Sequence, residues 1–359
     1  MPRSLNRLGR RAKRVGHRGD LLIVGVPGET HVGSHFRRAA AALGTPVEFA
    51  DARLAFEGPG WLRQFNWRVR GRRPSRLTEF NHALMRTLRE AAPRALLATG
   101  IAPVSAATLA AARALGVVTM NFLTDDPWNP AHRARWFMEA LPEYDCVYSP
   151  RSANLADLRS IRPGGPSEYV PFAYAPDVHF PEPTLTPQEE SGFDSDVMFA
   201  GGADEDRRQV LGAFVREGFR VALYGGYWDR YTETRAAARG FLDAAGLRKT
   251  TAAAKVCLCL VRRANRDGHA MRSFEVPAMG GCVLAEDTPD HRRIFGTEGA
   301  AALYFQDIDD ALVKARLLVN EPARRAPLAA AAHAVVTGGA NTYADRLRSM
   351  LEAVSHVAA

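Results

Sequence analysis

The chain of 359 residues predicts a two-lobed α/β protein in which each lobe is a doubly wound, Rossmann-like parallel sheet. Three observations lead there. Short apolar runs of strand length alternate with Ala-rich or amphipathic helical stretches from Leu21 onward, the grammar of strand, helix, strand units. A Pro-, Thr- and Glu-rich stretch without apolar periodicity, residues 180–194, interrupts the alternation, which then restarts. Several strand-like runs in both halves end in glycine-bearing or polar loops, the places where parallel sheets hold ligands. The expected division is a basic arm (1–20), a first lobe (21–180), a link (181–194), a second lobe (195–340) and a last helix (341–359) that crosses back toward the first lobe.

Composition narrows the class without giving a function. No apolar run approaches the roughly 20 residues that span a bilayer. The opening segment MPRSLNRLGRRAKRVGHRGD is basic and lacks the apolar core of an export signal, so a cytoplasmic location is expected. Its Lys and Arg cluster suits peripheral contact with an anionic membrane at the inner face. A net charge of +8 suits a nucleotide diphosphate and nucleic acid equally. The arm has no interleaved aromatics and no zinc-finger or RNP-like motif appears, so no specific nucleic-acid partner is expected. Cys146, Cys257, Cys259 and Cys282 fall in or beside predicted strands without Cys-x-x-Cys spacing, and read as small core residues.

In the first half, residues 21–26 (LLIVGV) read as a buried strand, Pro27 to Ser34 as a glycine-bearing turn and residues 36–43 as a helix. The turn is neither a G-x-G-x-x-G fingerprint nor a Walker loop. Residues 48–50 read as a strand. The stretch 56–73 sets Trp61, Phe65 and Trp67 among Arg63, Arg68 and Arg70, an amphipathic helix that packs on its own domain or meets an acceptor or a membrane. Then come a helix (74–90), a strand (94–99), a helix (102–115) and a strand (117–122). That strand runs into Leu123-Thr124-Asp125-Asp126-Pro127-Trp128, two carboxylates and an indole at a strand's carboxyl end. Adjacent carboxylates repel, which raises one pKa and suits proton transfer or hydroxyl binding, whereas Asp-Pro also suits a cap and turn. A strand (146–149), a helix (152–161) and a strand (168–172) complete the lobe.

In the second half a strand (196–200) meets the tight turn Gly201-Gly202-Ala203-Asp204, a helix (207–217) and a strand (220–224) that ends at Gly225-Gly226. Arg207 and Arg208 serve either a diphosphate or local ion pairs with Asp204, Glu205 and Asp206. A helix is expected over 235–245. The strand 255–261 (KVCLCLV) enters a basic loop carrying Arg262, Arg263, Arg266, Asp267 and Gly268. Arg272 and Glu275, three apart, share a face near the start of the next helix, where free backbone N–H groups attract anions. Gly280-Gly281 ends it, and a strand follows at 282–285. A helix (290–295), a strand (302–305) and helices at 308–319, 321–336 and 342–354 close the chain.

The run Arg272-Ser-Phe-Glu-Val-Pro-Ala-Met-Gly-Gly-Cys-Val-Leu-Ala-Glu286 resembles the C-terminal signature of the CgeB-type (spore-maturation-protein-like) glycosyltransferases, part of the wider set of retaining GT-B enzymes. Asp125-Asp126-Pro127 and Tyr174-Ala175-Pro176-Asp177 are similar to that family as well, and the resemblance covers most of residues 117–335. It implies a GT-B fold, two Rossmann-like lobes closing on a nucleotide-diphosphate sugar. Enzymes of this set often carry two acids eight apart; Asp267 and Glu275 have that spacing, with Asp where Glu is usual.

The resemblance further implies that Glu275 binds the ribose hydroxyls and that Asp267 and the backbone beside Gly268 face the donor sugar. Gly201 and Gly202 would face the phosphates, and Gly225 and Gly226 the base. Gly28, His31 and Gly33 would face the cleft, with Trp128 beside them. A departing nucleotide diphosphate gains charge as the glycosidic bond breaks, so Arg263, Arg266 and Arg272 are candidates to stabilise it. Asp125, Asp126, Asp267 and Arg272 are the catalytic candidates. Protein cations take the place of a metal, so neither metal nor cofactor is expected. The function implied is sugar transfer to a hydroxyl of a glycan, lipid or other acceptor, with retention; a sugar-nucleotide epimerase or hydrolase and a silent sugar-nucleotide-binding protein are the alternatives.

Overall fold

A computed structural model describes residues 21–357. The basic arm, and with it the expected membrane contact of residues 1–20, lies outside the described residues. The first lobe runs β1 (Leu21–Gly25), α1 (Val32–Ala42), β2 (Val47–Asp51), α2 (Gly60–Val69), α3 (Leu77–Ala91), β3 (Ala95–Thr99), α4 (Ala106–Ala114), β4 (Val118–Phe122), α5 (Arg135–Ala140), β5 (Cys146–Ser149), α6 (Ser152–Ile161) and β6 (Ser167–Tyr169). Its six strands are all parallel, in the order β2-β1-β3-β4-β5-β6. Every residue of β1 is buried, as expected for a strand covered by helices on both faces.

After the first lobe come α7 (Pro187–Phe193) in the link, then the second lobe with β7 (Ser195–Ala200), α8 (Glu205–Arg216), β8 (Val221–Tyr224), α9 (Ala244–Ala253), β9 (Ala254–Cys259), α10 (Arg272–Ala278), β10 (Val283–Glu286), α11 (Pro289–Phe295), β11 (Leu303–Phe305), α12 (Ile308–Asn320) and α13 (Pro322–Gly338), and last α14 (Tyr343–Val357). The five strands of the second lobe are parallel too, in the order β11-β10-β9-β7-β8. The four cysteines are buried free thiols. Among the described residues no helix is long and apolar enough to cross a membrane.

The chain returns to the first lobe at α14. Tyr343 stacks on His35 of α1 with ring centroids 5.0 Å apart and meets Phe36 edge-on. Its backbone N–H donates to Tyr174 O, and Arg346 reaches the carbonyls of Pro171 and Phe172. Two elements differ from the sequence expectation. The helix expected over 235–245 is instead a short 3-10 turn, Arg235–Ala237, because Gly240 takes φ +80° and offers its carbonyl to the Gly225 N–H. The link holds a helix of its own, α7, set by a capping box in which Thr186 and Glu189 bind each other's backbone N–H.

Candidate functional site

The two sheets turn their carboxyl ends toward each other, and between them lies a cleft of about 350 Å³. From the first lobe it is lined by His31 and Gly33 after β1, Thr124 and Asp125 after β4, and Arg151 after β5. The second lobe supplies Gly201 after β7, Arg207 at the start of α8, Arg262, Asn265 and Asp267 after β9, and Arg272 opening α10. Parallel strands place their following loops at one end of the sheet, which gathers residues far apart in sequence.

Four of these residues are arginines, each anchored so that its guanidinium stays at the cleft. Arg272 donates from Nε to Ala200 O at 3.2 Å and pairs with Glu275. Burial lowers its pKa to about 10, which leaves it charged at neutral pH. Arg207 is buried over the Phe199 ring and donates to Leu260 O at 3.2 Å and Gly202 O at 3.3 Å. Arg262 reaches Asp204 at 3.4 Å. Arg151 binds Thr124 O at 2.7 Å and Asp267, and its Nη1 is buried without a hydrogen-bond partner among the described residues. Against these stand two carboxylates, Asp125 and Asp267, so the cleft favours an anion.

The acids divide into two kinds. Asp267 sits at the cleft, bound by Arg151 and by the Arg262 backbone N–H at 3.3 Å; burial pushes its carboxyl up, against the pull of Arg151 and Arg207. Asp125 is partly exposed at the cleft, with Asn265 Nδ2 at 3.3 Å and His132 Nε2 at 3.7 Å. Asp126 does not line the cleft. It is buried, its Oδ1 accepts from Asn154 and from the Trp128 N–H, and its Oδ2 takes the Arg266 guanidinium at 2.6 Å. Asp126 and Arg266, both expected at the substrate, are here bound to each other: Arg266 places its guanidinium on Asp126 and Asp157 of the first lobe, a contact between the lobes. Asn129 and Asn265 add a second tie at 2.7 Å.

Other expected residues are placed differently as well. Arg263 is exposed and pairs with Glu286 outside the cleft. Trp128 packs against the first lobe's core. Gly268 passes so close to Asp290 that a Cβ there would lie 2.2 Å from its carboxylate, a packing role. Gly28 takes φ +136° and leaves room for the His31 ring, which does line the cleft; partial burial and the charge of Arg53 hold the His31 pKa down. Gly201 borders the cleft directly, and Gly202, Gly225 and Gly226 form the turn pair behind it. Ala203 N–H donates to Gly226 O, and a Cβ on Gly225 would lie 2.4 Å from Gly201 O.

Behind Arg272 lies a fully buried group, Glu275, His179 and His35. Glu275 does not border the cleft; in this arrangement it holds Arg272 and faces His179 Nε2 at 3.6 Å. The three side chains offer metal-ligand atoms within 4.8 Å of one another. His179 does not fit a ligand's role: its Nδ1 accepts the Ala175 N–H at 3.0 Å, so the proton of the neutral ring sits on Nε2, whereas a ligating imidazole donates through its other nitrogen. Burial and neighbouring arginines hold the His179 pKa well below its usual value, and burial takes His35 down to about 3.

The architecture superposes on a sucrose-phosphate synthase from Thermosynechococcus elongatus with a TM-score of 0.67 and 13% identity, over 95% of this chain and 100% of that one. The fold is GT-B. Anabaena HepE, solved in complex with UDP and glucose, shares this GT-B arrangement with a TM-score of 0.63 and 12% identity, over 94% of this chain and 99% of that one. A putative UDP-N-acetylglucosamine 2-epimerase from Listeria monocytogenes has a TM-score of 0.54 and 14% identity, over 93% and 95%. By sequence, residues 207–352 match a family model described as glycosyl transferase-like. No curated protein matches the chain by sequence.

Sequence reasoning passed over Arg151, named Arg262 in the basic loop without giving it a role of its own, and left Arg207 open between a ligand and a local ion pair. One signal was available for Arg151: it is the second residue after a strand, at the sheet end where GT-B lobes face each other.

Proposed function

We propose that this protein is a glycosyltransferase of CgeB type that moves a sugar, with retention, from a nucleotide-diphosphate sugar to an acceptor hydroxyl in the cytoplasm. The observation that carries the reading is the cluster of Arg151, Arg207, Arg262 and Arg272 around a cleft between GT-B lobes, facing two carboxylates. The UDP and glucose bound by HepE support a nucleotide sugar as the ligand. In this reading Arg272 and Arg262, with the backbone at Gly201, hold the diphosphate and stabilise the charge it gains as the glycosidic bond breaks. Asp125 hydrogen-bonds the acceptor hydroxyl. The acceptor oxygen forms the new bond on the face the diphosphate leaves, and its proton passes to the departing phosphate oxygen. Asp267, paired with Arg151, borders the donor sugar. Glu275 sets the position of Arg272, and it meets the ribose only where lobe opening uncovers it.

The test is a panel of nucleotide sugars with and without glycan and lipid acceptors, read by released nucleoside diphosphate and by the anomeric configuration of the product. Acceptor-dependent release with retained configuration supports the reading. The similarity to the epimerase favours one rival, which predicts an acceptor-independent change at the sugar carbon; that product, or binding without turnover across the panel, would replace it.

A further inference from the structure

We propose that the α2 face of the first lobe docks on the surface of an anionic lipid bilayer. Of the ten residues of α2 one, Asn66, is buried. Trp61 is 71% exposed, Trp67 58% and Val69 65%, and Phe65 is exposed beside them. Leu54 and Phe56, on the 3-10 turn Ala52–Phe56 that leads into the helix, are exposed too. Two indoles on one short helix, both facing water, are costly for a surface with nothing to meet.

The charge around them identifies the partner. Residues 51–76 contain seven arginines and two acids, Asp51 and Glu57, which pair with Arg53 and Arg76, so five arginines remain in excess. Trp61, Phe65 and Val69, at i, i+4 and i+8, share one side of the helix, where Arg70 lies over the Phe65 ring at 5.8 Å. Arg72 lies over the Trp67 ring at 4.8 Å on the other side. This combination suits a bilayer interface, where indoles rest at headgroup depth while guanidiniums reach the phosphates. A second copy of the chain fits poorly, because a two-fold contact would press the same positive patch against itself. Nucleic acid would use the arginines and rings but gains nothing from Leu54 and Val69.

The experiment is sedimentation of the full chain with vesicles of phosphatidylcholine, alone or mixed with phosphatidylglycerol. Binding is expected to the mixed vesicles, to weaken with salt, and to shift tryptophan emission to the blue. Two variants, Trp61→Ser with Trp67→Ser and Arg63→Glu with Arg68→Glu, are expected to lower vesicle partitioning by about tenfold or more each while nucleotide binding is kept. Quenching of the wild-type tryptophans by brominated lipid checks the same contact without any substitution. Equal partitioning of wild type and both variants, absence of quenching, equal binding to neutral vesicles, or complete loss of binding on removing residues 1–20 would each overturn the proposal. So would variants that change self-association or RNA binding while vesicle binding stays the same. Because nucleotide binding is read in parallel, failure here is separable from failure of the proposed transfer activity.

Discussion

Arg266 and Asp126, 140 residues apart in sequence, meet at 2.6 Å across the two lobes, and the carboxylate is buried where they touch. The same guanidinium reaches Asp157, so one side chain clasps two elements of the first lobe. A catalytic candidate and a donor-binding candidate of the sequence thus form one of the contacts that hold the halves of the cleft together.

Arg266→Ala is expected to loosen that clasp. Asp126 keeps its bonds from Asn154 and the Trp128 N–H, so the stability cost is about 1–3 kcal/mol. Small-angle scattering of the unliganded variant is expected to show a larger radius of gyration, with weaker nucleotide binding. Unchanged dimensions and unchanged affinity would mean the lobes are held by other contacts.

Glu275→Gln removes the counter-charge of Arg272 in a buried place. Breaking such a pair costs roughly 3–5 kcal/mol, and part of this is recovered where Arg272 meets solvent at the cleft. Denaturant unfolding is expected to give a lower midpoint at an unchanged slope, and nucleotide affinity is expected to fall as Arg272 shifts. A midpoint equal to that of wild type would show that the carboxylate does not hold the arginine.

The buried histidines predict acid sensitivity. His35 has a folded pKa of about 3 against about 6.5 when unfolded, so between those values the unfolded chain binds the extra proton. Stability from its burial is complete above pH 6.5 and is lost as pH falls toward 3, by up to about 1.4 kcal/mol per pH unit. His35→Phe is expected to flatten the stability profile in that window, measured by urea unfolding at a series of pH values. An unchanged acid limb would place the titration elsewhere.

Gly225→Ala is expected to be severe. Gly225 has φ +126°, and the new Cβ would lie 2.4 Å from Gly201 O. A cost of about 2 kcal/mol or more is expected, with loss of nucleotide affinity as the Gly201 turn is pushed away. Gly116, with φ +77° and open space around it, is the control and is expected to cost about 1 kcal/mol on the same change. Equal effects at the two sites would remove the Gly201 turn from the account.

The parallel sheets were legible because buried strands and covering helices differ in hydrophobic period, and most strand ends fall within a residue or two of their expected places. The loops at those ends were legible as a site for the same reason, and His31, Gly33, Asp125, Gly201, Asp267 and Arg272 do line the cleft. What spacing does not carry is the pairing of one lobe with the other. Asp126 and Arg266 read as free groups because the partner of each lies in the opposite lobe. The expected local pair of Arg207 with Asp204 is present at 3.6 Å, whereas its burial depends on Phe199 and on the Leu260 carbonyl, which a different strand supplies and local spacing does not show. The helix expected at 235–245 failed on Gly240, whose left-handed backbone serves Gly225.

In the proposed function the arginines of the cleft grip a nucleotide diphosphate. Calorimetric titration of nucleoside diphosphates into wild type, Arg262→Ala and Arg272→Lys tests it directly. At least one diphosphate is expected to bind wild type, with each variant weaker by about tenfold or more, as befits loss of charge-assisted hydrogen bonds. Binding of equal strength in all three proteins, or no binding of any nucleoside diphosphate to wild type, would contradict it.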